Sequence, residues 1–340
     1  MPQTGKISRE FFHSQIAPYL GANRSDVRVG PKHGVDFGVV DIDGTALVLA
    51  TDPVSILPEL GFERAGRFAV RIVLADVAVS GLSPSHLAIS FSLPPELADD
   101  DFATLWGAIH DECAALGVDI VTGHTARYAG CSFPWVGAST ALAVGDHDDI
   151  IRPDGATPGD NLVMATGPAV ESAALFASLF PKQIDCDPEL VDRVAARLDD
   201  LDGVRNALTA ADAGGVTAIH DVTEGGLVGA LHEMATGAGV QFTVDSECVP
   251  TDSDVRTLCE TLGMDPWTAT SSGSLVIAVD PNSTNDVVTA LNDRGTTATT
   301  IGTVYEGAGV LIDGESTDPP KRDASWPVYE ALLDSASTTD

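Results

Sequence analysis

Leu74-Ala75-Asp76-Val77-Ala78-Val79-Ser80-Gly81 sets one carboxylate inside an apolar run. The stretch closes a helix predicted over Arg64–Ser80, in which Phe68, Ile72, Ala75 and Val79 recur at helical spacing and Gly81 is the stop. An ionised Asp76 in such a helix needs a base, backbone donors or a metal ion as partner. Residue type alone leaves two readings open: a structural pair with an arginine such as Arg71, or a metal ligand.

On the C-terminal side the pattern predicts a strand over Leu87–Leu93, closed by Pro94-Pro95, and a helix over Asp101–Leu116. That helix turns Leu105, Ile109 and Ala114 inward and has Gly117 at its C′ position. A strand over Val118–Thr122 runs into Gly123-His124-Thr125, and another covers Ser132–Val144. On the N-terminal side, short strands at Val39–Asp41 and Ala46–Ala50 flank the turn Asp41–Gly44, preceded by an amphipathic helix near Glu10–Leu20. Asp, Pro and Gly concentrate between Asp146 and Gly159, which marks a boundary. Beyond it come a strand at Asn161–Thr166 and helices at Ala169–Phe180, Asp187–Asp199, Val204–Ala211 and Leu227–Ala235. A strand at Ser274–Val279, a helix at Thr284–Arg294 and strands at Thr299–Val304 and Val310–Ile312 follow. The expectation is a two-domain α/β (α+β) protein, residues 1–150 and 151–314, with a poorly ordered polar tail over 315–340.

Further candidates lie at predicted strand ends and turns. Asp36 (in Gly34–Gly38) and Asp52 (after Ala50-Thr51) read either as turn caps or as oxygen ligands for Mg2+ carrying nucleotide phosphates. His124 reads as a loop histidine making a local hydrogen bond or as a group that meets phosphate or substrate. In the second half, His220-Asp221-Val222-Thr223-Glu224-Gly225-Gly226-Leu227 opens a helix with capping-box spacing between Asp221 and Glu224. Its two glycines would let backbone N–H groups approach an anion; a capped helix with no ligand is the plainer alternative.

Composition excludes several classes. The 340 residues carry 50 acids against 18 bases, a net charge of −32, so nucleic acid and anionic membranes are repelled. The acids are dispersed, which favours a surface adapted to concentrated salt over a calcium-collecting site. No apolar run is long enough to span a bilayer, and Met1–Glu10 lacks a signal-peptide core. Five cysteines without a C-x-x-C pair fit reduced thiols, so a cytoplasmic protein is expected. Phosphate-loop, nucleophile-elbow, zinc-protease and kinase signatures are absent.

Taken in order, Gly34–Val39, Thr51-Asp52, Ala75–Gly81, Gly123-His124-Thr125, Gly155–Asp160 and His220–Leu227 resemble the motifs of the AIR synthase-related (PurM-like) superfamily, nearest its HypE branch. The resemblance covers roughly residues 5–312. It implies an N-terminal domain whose strands build a β-barrel across a homodimer, and a C-terminal α/β domain. It implies ATP and Mg2+ as cofactors, with Asp36, Asp52 and Asp76 on the metal. Thr51, Gly123 and Thr125 would line the nucleotide site, and Lys6 would belong to an N-terminal segment that closes on ATP, unless it is an exposed tail residue. His124 and Asp221 would be catalytic, with Gly225 and Gly226 beside the second substrate. The implied chemistry is transfer of a phosphoryl group to an oxygen of a small-molecule or protein-borne substrate. A kinase similar to thiamine-monophosphate kinase and a non-catalytic nucleotide-binding or assembly subunit are the alternatives.

Two departures matter. His124 stands where relatives carry Asp, and imidazole is a poor Mg2+ ligand. HypE itself ends in a motif with a cysteine, whereas the last cysteine here is Cys259, so HypE's own reaction is not implied.

Overall fold

The computed structural model describes residues 5–32 and 34–337. The chain forms two compact units. One is built from residues 23–31 and 36–150; the other gathers residues up to 22, residues 32–35 and everything from Ile151 onward. A helical turn α1 (Arg9–Phe11) opens the chain and continues as a π-turn (Phe12–Ile16) and a 3-10 turn (Ala17–Tyr19), in place of the single amphipathic helix expected there.

The unit centred on residues 36–150 is a six-stranded sheet in the order β1-β2-β3-β6-β4-β5. Its strands are β1 (Val27–Val29), β2 (Gly38–Ile42), β3 (Thr45–Ser55), β4 (His86–Leu93), β5 (Asp119–Arg127) and β6 (Trp135–Gly145). All neighbours run antiparallel except β4 and β5. One face is covered by α2 (Phe62–Ala78) and α3 (Asp99–Leu116). Strand β4 shows the consequence: Leu87, Ile89, Phe91 and Leu93 are buried and alternate with partly exposed residues. Three aspartates open α3 at the positive end of its dipole, and Gly117 closes it in the left-handed conformation, with Val118 N–H returning to Cys113 C=O at 2.8 Å. The helices approach closely because Gly66 has no side chain; a Cβ there would lie 2.6 Å from the Leu105 carbonyl oxygen. Two details differ from the sequence reading. The inner stripe of α2 runs through Ala65, Ala69, Val73 and Val77, not Phe68 and Ile72, and Ala114 of α3 is exposed.

The other unit holds a seven-stranded sheet in the order β13-β12-β9-β11-β7-β10-β8. Its elements are β7 (Asn161–Ala165), α4 (Val170–Leu179), α5 (Pro188–Ala196), α6 (Gly203–Ala213), β8 (Val216–Asp221), α7 (Gly226–Ala238), β9 (Gln241–Val244), α8 (Ser253–Leu262), β10 (Leu275–Val279), α9 (Thr284–Asp293), β11 (Ala298–Tyr305), β12 (Gly309–Ile312), β13 (Glu315–Thr317) and α10 (Ser325–Ser337). All five residues of β10 are buried, as expected for a central strand covered on both faces. Leu227, Leu231 and Met234 of α7 pack on Leu162, Met164, Phe242 and Val276 of the sheet. Of the segment expected to be a poorly ordered polar tail, residues 315–337 carry β13 and α10. Leu332 is buried, Tyr329 stacks on Phe176, and Asp323 and Ser325 are buried. Aromatic anchors at Trp326 and Tyr329 overcome the polarity of the residues around them. Among the described residues, no helix is long and apolar enough to cross a membrane.

Candidate functional site

Strand parity sorts the candidates of the first unit. Asp52 pairs with Ser139, Ser139 with Ile89 and Ile89 with Gly123, so these four form one row across β3, β6, β4 and β5. Ser139 and Ile89 are buried, which places the row on the face covered by the helices. Thr125 pairs with buried Phe91 and shares that face. Asp76 lies near the C-terminal end of α2, the helix that packs on β3, and both Asp52 and Asp76 are half-buried. Asp36 is half-buried too, on the residue before buried Phe37. Gly123 is required in its row, since a Cβ would lie 2.3 Å from the Ile89 carbonyl oxygen.

Thr51 and His124 occupy the opposite, open face. Thr51 shares a hydroxyl–hydroxyl hydrogen bond of 2.9 Å with Thr140. His124 pairs with Ser90 and is not in a loop: Gly123-His124-Thr125 continues β5. Its Nε2 is 3.0 Å from the Tyr128 hydroxyl, and the two exposed rings stack. Successive strand residues point to opposite faces, so His124 does not join Asp52 even though Gly123 and Thr125 lie on the side of Asp52. Arg71, one of two readings for the partner of Asp76, makes a two-pronged pair with buried Glu112 of α3, at 3.0 and 3.3 Å.

In the second unit Asp221 ends β8, 1 % exposed, beside His220. The capping box does not form. The N-cap of α7 is Gly225, in the left-handed conformation, and no side chain caps it from within the helix. Glu224 instead accepts from the Lys6 backbone N–H at 2.8 Å and from Trp326 Nε1 at 3.0 Å. The Lys6 ammonium donates to the Thr223 hydroxyl at 3.3 Å, so Lys6 is held on this loop.

The backbone N–H groups of the two glycines are met from within the protein. Gly225 N–H donates to Asp323 Oδ2 at 2.7 Å, and Gly226 N–H to the Thr223 carbonyl at 2.9 Å. Gly226 also meets the turn after α8 closely; a Cβ would sit 2.7 Å from the Trp267 carbonyl oxygen.

Two groups escaped the sequence reading. Asp323 fell in the presumed tail. Glu171 sits in the first turn of α4, 5 % exposed, and accepts from Ser272 N–H. Burial pushes its carboxyl up to about 7, against the hydrogen bonds from Ser272, with the nearby Asp323 and Asp221 charges adding to the rise. A lone acid in the apolar run Val170–Leu179 was the available signal.

This frame, a half-open sheet backed by two helices and a second sheet covered on both faces, defines a two-domain α/β protein of the PurM-like fold. Residues 34–143 match the AIR synthase related protein N-terminal domain and residues 157–314 its C-terminal domain, and the chain belongs to this family. It is 28 % identical over 312 residues to the carbamoyl dehydratase HypE of Escherichia coli K12, covering 91 % of this chain and 89 % of the relative. The crystal structure of E. coli HypE superposes with a TM-score of 0.72 at 25 % identity, over 94 % of this chain and 97 % of that one. AaThiL complexed with AMPPCP and TMP superposes at 0.70 with 23 % identity, over 85 % and 90 %, a likeness of fold.

Proposed function

We propose that the protein is an ATP- and Mg2+-dependent enzyme of the HypE-like kind, which moves the γ-phosphoryl group of ATP to an oxygen of a small-molecule or protein-borne substrate. The observation that supports this reading is the place of Asp52 on the helix-covered sheet face, in the row that runs through Ser139 and Ile89 to Gly123, with Thr125 on the same face. Half-buried carboxylate oxygens are the hard ligands Mg2+ takes, so the donor set fits. Asp36, Asp52 and Asp76 would hold the ion, which when bound neutralises phosphate charge. Gly123 and Thr125 would line the nucleotide site, whereas Thr51 lies on the other sheet face, bonded to Thr140. Asp221, buried at the end of β8, would face the second substrate, and Lys6 would move with the Thr223–Glu224 loop. His124 lies on the other sheet face with Tyr128; its part is contact with substrate or phosphate, not metal ligation.

The open face of the sheet supports a homodimer. Val144 and Ile42 are 52 % and 53 % exposed there, and pairing two such faces would bury them. A cytoplasmic setting and adaptation to concentrated salt accord with five free cysteines and the charge of −32.

The test is calorimetry of ATP binding in molar KCl, with and without Mg2+, on the wild type and Asp76→Asn. Mg2+-dependent binding lost in the variant is the expected result; no binding by the wild type at any salt concentration overturns the proposal. The second reading, a small-molecule kinase, draws on the likeness to AaThiL and is decided by ADP formation that depends on a phosphorylated vitamin precursor. Binding without turnover would indicate a non-catalytic nucleotide-binding subunit.

A further inference from the structure

We infer that His220 and Glu233 are positioning residues for Asp221. The inference rests on the proposed place of Asp221 beside the second substrate. His220 is fully buried, and its ring stands between two carboxylates. Nε2 is 2.8 Å from Glu233 Oε2 on α7, and Nδ1 is 3.4 Å from Asp221 Oδ1 at the end of β8.

The three groups form a graded line. Glu233 keeps 22 % of its side-chain surface, while His220 and Asp221 keep 1 % each, so the line runs from the surface of α7 inward. An imidazole anchored at one nitrogen by a carboxylate cannot turn its ring without giving up that contact. Its second nitrogen therefore keeps one direction. Glu233 is itself confined: Gly34 packs against it so closely that a Cβ on Gly34 would lie 2.9 Å from Glu233 Cβ. The placement of Asp221 matters, because its charge lies near enough to the buried Glu171 carboxyl to add to the rise of that group. The arrangement is that of a carboxylate–histidine support behind a working ligand, here with a second carboxylate as the group supported.

The experiment is nitrogen-15 spectroscopy of the full chain labelled at its 8 histidines, in molar KCl. His220→Gln assigns the His220 ring. Asp221→Asn is expected to shift the Nδ1 resonance and Glu233→Gln the Nε2 resonance. Glu233→Ala, which frees the ring, is expected to move both. Glu233→Gln keeps an oxygen facing Nε2 and should hold Nδ1 near its wild-type position, a rescue that a bulk loss of packing would not produce. Mg2+–ATP affinity, measured in parallel, should stay within about twofold in the Glu233 variants, since nucleotide is read by the other unit. An Nδ1 resonance unmoved by both Asp221→Asn and Glu233→Ala overturns the inference. A wild type that fails to bind ATP overturns the functional reading instead, and the two failures are read from separate signals.

Discussion

Replacing Glu171 by Gln should make the protein more stable, and by an amount that depends on pH. The carboxyl titrates near 4.5 in an unfolded chain and near 7 in the folded one. A group with a raised folded pKa costs nothing below its unfolded value, where both states are protonated. The cost grows between the two values and is complete above the folded one. At about 1.4 kcal/mol per unit, the full penalty is about 3 kcal/mol, of which about 2.5 kcal/mol develops between pH 5 and 8. Glutamine keeps an oxygen for Ser272 N–H but carries no charge, so the penalty vanishes. The assay is urea unfolding of both proteins in molar KCl at half-unit steps from pH 5 to 8. The difference in unfolding free energy should widen by about 2 to 3 kcal/mol in favour of the variant. A constant difference across that range would refute the reasoning and mean that Glu171 is ionised and well compensated in the fold.

Asp323→Asn replaces the charged acceptor of Gly225 N–H and should cost about 1–2 kcal/mol, with faster amide exchange in the first turn of α7; unchanged exchange would separate Asp323 from that helix. In the proposed homodimer, Val144→Asp on the open sheet face should abolish pairing in light scattering while leaving far-ultraviolet dichroism unchanged. Moving from molar to about 0.05 M KCl lengthens the screening distance several-fold and, against a charge of −32, should lower the melting temperature by several degrees; an indifferent melting curve would remove the salt-adapted reading.

Periodicity exposed α2 and α3 because seventeen or eighteen residues carry the pattern over several turns, and Gly117 marks a stop with its own backbone conformation. The central β10 was readable as an apolar run. Short strands such as β9, with four residues, and β8 gave no comparable signal, and α8 hid among polar residues. For the candidate site, residue types singled out Asp52 and Asp76, but the separation of His124 from Asp52 is a fact of register. It depends on which residue of β5 lies opposite which residue of β4, and that pairing is set by contacts distant in sequence. The anion at Gly225 was invisible for the same reason, since Asp323 is 98 residues away.

The division of the chain bears on the order in which it is made. The sheet of residues 36–150 comes from one nearly continuous stretch, complete when Ile150 has emerged from the ribosome. The other unit draws on residues far apart in sequence: Lys6 precedes its acceptor Glu224 by 218 residues. Gly225 must wait longer still for the Asp323 carboxylate, and Glu224 for the Trp326 indole. Until then the start of α7 has no acceptor for its N–H group and the opening segment has no seat. Synthesis thus leaves the first unit finished and the second open until Asp323 and Trp326 arrive, which is the interval in which a holding chaperone would find something to grip.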